Sequence, residues 1–240
     1  MKKFYEKNEL WFAIAWIVVY CGVSVPIRGA YGDESAAMLA GLAVIAAGLL
    51  AFVKTAHLEE KYGLVKWRGH AREYLFFLPV LVLMTGNLWG GVGMAYEGTA
   101  QLFAVLSMFL VGLVEELIFR GLLFRALLQR DAPPVAIAIS AVTFGIGHIV
   151  NLLAGQGGLE SLIQVIFAVA WGFLFTMLFY HSGSLLVCIF VHGMVDVFSK
   201  FATGVSRSDY IYVTVTILVS IAYCLYLSRR PAALRPEKTA

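Results

Sequence analysis

The chain has 240 residues, 60% of them hydrophobic and only 14% charged, against roughly 45–50% and about 25% in soluble globular domains. Fifteen acidic and eighteen basic residues cannot make a polar shell, and a mean hydropathy of +0.83 requires most of the surface to face lipid. Cys21, Cys188 and Cys224 all lie in apolar runs, which excludes a disulfide framework and a Cys-based zinc site. A net charge of +3, with no basic patch interleaved with aromatics in a soluble segment, leaves no footprint for nucleic acid.

Apolar runs of about 15 to 20 residues approach the roughly 20 needed to cross a ~30 Å hydrocarbon layer as helix. Eight are predicted: Leu10–Val25, Ala36–Val53, Tyr74–Leu88, Leu102–Leu123, Val135–Leu153, Leu162–Tyr180, Leu185–Phe198 and Tyr210–Leu227. The third and seventh are short, and the fourth carries charge. The expected fold is an all-α polytopic membrane helix bundle of about eight transmembrane helices, one integral membrane domain over residues 1–240. No cleavage site follows the first run, so it reads as an anchor rather than a leader.

Lysine and arginine placement tests the count, because short cytoplasmic loops carry the positive excess. With the N-terminus inside, fifteen of the eighteen basic residues are cytoplasmic, among them Lys2, Lys3, Lys7, Lys54, Lys61, Lys66, Arg68, Arg72, Arg120, Arg125, Arg130, Arg229, Arg230, Arg235 and Lys238. Arg28, Lys200 and Arg207 remain outside. Both termini are then cytoplasmic. The loop Lys54–Glu73 mixes both signs, lies near the cytoplasmic headgroups and suggests access from inside; Trp89–Gly93 reads as an outer interfacial loop.

Ionisable residues inside a spanning helix are costly and mark sites with partners. The fourth run holds Glu115, Glu116 and Arg120 in EELIFR, the fifth His148 in FGIGH, and the seventh His192 and Asp196 in HGMVD. Glu116 and Arg120 are four apart and share a helical face, so the arginine can neutralise that glutamate. Glu115 points about 100° away and needs a neighbour from another helix. Phe144 shares a face with His148, and His192 with Asp196, which can fix the imidazole's tautomer. Counted from the Asp131–Pro133 turn, with Pro134 opening the next helix, Glu115 and His148 both lie roughly 22–24 Å up their helices at about 1.5 Å per residue. They are predicted to sit at one level. His192 reaches that depth only if the His181–Gly183 turn is sunk into the membrane.

EExxxR, then FxxxH, then HxxxN/D on successive apolar helices resembles the CPBP family of intramembrane proteases, the CAAX-protease and bacteriocin-processing group. The motifs here are Glu115, Glu116 and Arg120; Phe144 and His148; His192 and Asp196. The resemblance spans about Leu102–Phe198. It implies an intramembrane endopeptidase acting on a membrane-associated peptide or a prenylated CAAX-type protein tail, in a cell membrane that the same resemblance makes bacterial. Glu115 with His148 would activate water, His192 with its partner would stabilise the oxyanion, and Phe144 would shape the pocket. Where the family often has Asn, this chain has Asp196; ionised, it accepts but cannot donate a hydrogen bond, so it either orients His192 or carries a proton.

Other readings stand beside this one. Glu115, His148 and His192 also make a zinc ligand set with an open position for water, and spacing does not separate that from metal-free chemistry, which the resemblance favours. Glu116 and Arg120 read equally as an internal ion pair. A bacteriocin self-immunity factor or an ion- or proton-coupled transporter would use the same buried charges, although repeated halves with broken helices, common in transporters, are missing. His57, His70 and His181 read as solvated, Ser182 and Ser184 as helix-start residues, and Gly145, Gly147, Gly172 and Gly193 as points of close helix approach.

Overall fold

The computed structural model describes residues 1–65, 75–152, 157–203 and 207–234. Among them helix dominates, in the order α1 Lys2–Lys7, α2 Glu9–Tyr31, α3 Ala36–Thr55, α4 Leu78–Leu83, α5 Gly98–Glu116, α6 Arg125–Leu128, α7 Pro133–Gly147, α8 Gly158–Ser182, α9 Leu185–Ser199 and α10 Arg207–Leu227. Between α5 and α6 the chain stays helical but widens to π geometry over Leu117–Phe124, so one rod runs from Gly98 to Leu128. Local chemistry sets several ends. Asn8 and Ser35 accept the amides of Trp11 and Met38, each at 3.0 Å, capping α2 and α3. Proline fills the first turn of α7, where its missing N–H costs nothing. Gly183 closes α8 in the left-handed conformation, with φ 69°.

Among the described residues six helices are long and apolar enough to cross a membrane: Glu9–Tyr31, Ala36–Thr55, Gly98–Leu128, Pro133–Val150, Ser161–Ser182 and Ser208–Leu227. They coincide with six of the eight predicted runs. The other two, Leu75–Leu88 and Leu185–Ser199, are apolar but shorter. Leu75–Leu88 is broken by 3-10 turns on both sides of α4. α2 outruns its predicted end, continuing past Val25 through Pro26 to Tyr31.

The two ends of the bundle differ in charge. At one end Arg28 Nε meets Asp33 Oδ1 at 2.7 Å and Lys200 Nζ meets Asp33 Oδ2 at 2.9 Å. There the loop after Trp89 pairs with the chain after α9, Val92 facing Ala202 and Gly93 N–H donating to Phe201 O. Burial raises the Asp33 carboxyl, but Arg28 and Lys200 outweigh it and hold the group below its ordinary range. At the other end Lys61 Nζ binds Glu9 Oε1 at 2.6 Å and Tyr62 donates to Tyr5 at 3.0 Å. Leu185 N–H donates to Gly63 O there, and Leu234 N–H to Tyr180 O. Arg28 and Lys200, which the charge rule puts on one side, thus share one end. Lys66, His70, Arg68, Arg72, Arg235 and Lys238 lie outside the described residues.

Glycine contacts set how closely the helices meet. A Cβ on Gly112 of α5 would stand 2.4 Å from the backbone N of Gly193 on α9, and one on Gly172 of α8 would stand 2.7 Å from Ala141 O on α7. Gly145 meets Val169 in the same way, its Cβ 2.2 Å from the side chain. Gly147 does not share this role, because its nearest neighbour, Phe119 Cζ, would be at an ordinary 3.8 Å.

Candidate active site

The Gly112–Gly193 crossing lies one turn before Glu115 and Glu116 and one residue after His192, so it seats the imidazole between the two carboxylates. Nδ1 of His192 is 2.9 Å from Glu116 Oε1, and Nε2 is 3.7 Å from Glu115 Oε2 and 3.5 Å from Asp196 Oδ2. His192 and Glu115 therefore do sit at one depth. The partner at hydrogen-bond distance from the imidazole is Glu116, not the Asp196 expected from spacing. A carboxylate at Nδ1 makes that nitrogen the donor and presents Nε2 to Glu115 and Asp196.

Glu116 makes its contacts through one oxygen. Its Oε1 also accepts from Arg120 Nη1 at 2.8 Å, and neither side chain of this pair has exposed area (0% and 0%). Four-residue spacing predicts the contact, which survives although Arg120 already lies in the π stretch. The guanidinium lies over the Phe144 ring at 4.1 Å, and Nη2 donates to Gly172 O at 3.3 Å, where the α7–α8 contact brings that carbonyl close. Phe144 is edge-on to His192 at 5.6 Å, and Phe175 stacks on the imidazole at 5.5 Å. Phe144 is thus a wall shared by Arg120, His148 and His192.

His148 owes its orientation to a helix end. α7 stops at Gly147, and the His148 amide turns back to Gly145 and Ile146 rather than to Phe144 O. That carbonyl is free to accept from the ring, and His148 Nδ1 is 3.1 Å from it. A carbonyl only accepts, so Nδ1 carries the hydrogen and Nε2 keeps its lone pair. The FxxxH spacing acts through the Phe144 backbone as well as its ring.

Glu115 has the neighbour from elsewhere that its helix denies it. Tyr20 of α2 donates its hydroxyl to Oε1 at 2.7 Å, and both residues are buried (6% and 8% exposed). Tyr20 was not singled out from sequence; its one signal is a phenol in the middle of the first apolar run. Glu115, His148 and Asp196, with Phe144 and Tyr20, line a cavity of about 730 Å³. His192 is set behind Glu115 and Asp196 rather than on the lining. Glu115 and His148 are not hydrogen-bonded to each other; they share the cavity. Among the described residues no group of three or more His, Cys, Asp or Glu is gathered closely enough to hold a metal ion.

Fold and site define a helical membrane protein with a buried Glu/His/Arg constellation beside a cavity. Residues 98–198 match the family described as Rce1-like, type II CAAX prenyl endopeptidase. This match agrees with the resemblance to CPBP intramembrane proteases over that stretch, which holds every motif residue. It implies a protease, and with the apolar helices it indicates an integral membrane protein. No curated protein and no solved structure matches the chain.

Proposed function

We propose that the protein is an intramembrane endopeptidase in which Glu115 and His148 activate water to hydrolyse a peptide bond. The observation that carries this reading is the pair of groups presented to one cavity, a Glu115 carboxylate held by Tyr20 and a His148 ring whose Nε2 is left basic. Water between them passes a proton to this pair and attacks the scissile carbonyl carbon, forming a C–O bond and a tetrahedral oxyanion. Collapse breaks the C–N bond, and the proton is delivered to the leaving nitrogen, giving a carboxylic acid end and an amine. His192, donating Nδ1–H to Glu116 and carrying a second hydrogen on Nε2, supplies positive charge from behind Glu115 and Asp196, and a protonated Asp196 on the cavity wall donates to the oxyanion. No cofactor takes part in this scheme. The substrate is a membrane-associated peptide or a prenylated CAAX-type protein tail. The whole of residues 1–240 acts as one integral membrane domain of eight spans, with both termini cytoplasmic, in a bacterial cell membrane.

The test is cleavage of fluorogenic peptides, prenylated and not, by detergent-purified wild type and Glu115→Gln, with and without phenanthroline. Activity that is lost in the variant and kept with chelator is the expected result. Loss with chelator that zinc restores would move Glu115, His148 and His192 to ligand roles. Equal activity in both proteins, or none on any peptide, would overturn the reading in favour of an immunity or transport protein.

A further inference from the structure

The cavity that holds Glu115 has a direction. Its lining runs from Glu115, Phe119 and Phe144 inside the bundle to Arg28, Asp33, Ser199 and Lys200 at one end of it. None of its lining comes from the opposite end of the bundle, where Lys61, Tyr62, Gly63 and Leu185 meet. It therefore opens at the end clamped by Asp33.

That end is poor in positive charge. Most of the described lysines and arginines, including Lys2, Lys7, Lys54, Lys61, Arg130 and Arg230, belong to the opposite end, and a bias of this kind places the basic end in the cytoplasm. We infer that the cavity takes its substrate from the non-cytoplasmic side, as an extended peptide or protein tail lying at that surface. The inference rests on the endopeptidase reading for the substrate and on the cavity alone for the direction. It runs against the access from inside that the basic Lys54–Glu73 loop suggests. Extension of α2 past Val25 is what brings Arg28 to this mouth.

Cys21 lies in the cavity wall and serves as the probe. In full-length protein with Cys188→Ala and Cys224→Ala, a membrane-impermeant maleimide is added to spheroplasts and to inverted vesicles. Ala56→Cys marks the basic end, Glu97→Cys the other, and Ser199→Cys the mouth. Cys21 is expected to label only in the preparation that labels Glu97→Cys, and that preparation is expected to be the spheroplasts. Labelling of Cys21 together with Ala56→Cys overturns the inference. So does a Cys21 silent in both preparations while Ser199→Cys reacts, or one that labels with Glu97→Cys only in inverted vesicles. A hydrophilic peptide from the cleavage panel, added to the same two preparations, is expected to be cut only in the spheroplasts. Labelling needs no catalysis. Outward access in a protein that cuts no peptide would remove the endopeptidase reading and leave the direction standing.

Discussion

At the level of single residues, the two adjacent glutamates divide their work by where the helix points them. Glu116 faces Arg120 and His192 and carries no exposed area, so its place is to hold charge. Glu115 faces the cavity and is held by Tyr20. A hydrogen bond to a charged group contributes about 1.5–3 kcal/mol, and about 1.4 kcal/mol is tenfold in rate. Tyr20→Phe is therefore expected to lower kcat roughly tenfold or more with KM little changed, since the ring still fills its site; initial rates over a substrate series measure this. Arg120→Met has a different consequence, because it strands a buried carboxylate. Such a loss costs about 3–5 kcal/mol and should show as a large drop in thermal midpoint in detergent, before any question of activity arises. The Glu116–Arg120 contact was legible from four-residue spacing, and the need of Glu115 for an outside partner was legible too. The identity of that partner was not, since a lone tyrosine in an apolar run carries no spacing relation to a residue ninety-five positions later. Spacing pairs His192 with Asp196, which stands 3.5 Å from Nε2, but it does not reveal Glu116 at 2.9 Å from Nδ1, because periodicity ranks neighbours on one helix and the nearer carboxylate comes from another.

At the level of helices, hydropathy located the six long apolar helices of the described residues and two shorter ones, because burial in lipid imposes a length that composition reveals. Their internal irregularities were hidden. The π stretch Leu117–Phe124 and the early stop of α7 at Gly147 depend on what packs against them, and the second of these sets the ring of His148. Close approach was partly legible: Gly145, Gly172 and Gly193 sit where helices touch, yet Gly193 works with Gly112, which no spacing pairs with it. At a contact of 2.4 Å to backbone, an added methyl cannot be absorbed by a side-chain rotation. Gly112→Ala must push α5 from α9, and overpacking of this kind costs about 1–3 kcal/mol. The same displacement draws both glutamates away from His192. The expected outcome is a lowered thermal midpoint together with a loss of cleavage larger than stability alone explains, whereas Gly147→Ala, whose added methyl would meet only Phe119 Cζ at an ordinary 3.8 Å, should leave both nearly unchanged. Parallel melting curves and peptide cleavage assays on the two variants compare them directly.

At the level of the whole molecule, the motif residues all fall within 98–198, but the site does not. Tyr20, Cys21 and Arg28 come from α2, which packs along the π stretch that follows Glu116, and α3 packs on α5. One contiguous buried cluster links Tyr5 and Phe12 in the first helices with Val191 in α9 and Leu227 in α10. Helices that are each stable in a bilayer associate afterwards through packing and hydrogen bonds between them. The first helices are therefore expected to form a separable part that residues 98–198 need for cleavage. A chain beginning at residue 75 keeps every motif and is expected to lose cleavage more completely than Tyr20→Phe, because it forfeits the Glu115 partner and one wall of the cavity at once. Co-expression of residues 1–65 with 75–240 is expected to restore cleavage, and restoration should fail when the shorter piece carries Tyr20→Phe together with Arg28→Ala. Rescue by any apolar helix pair in place of residues 1–65 would show instead that only lipid-facing bulk is required, and that the hydrogen bond from Tyr20 to Glu115 is incidental to the chemistry.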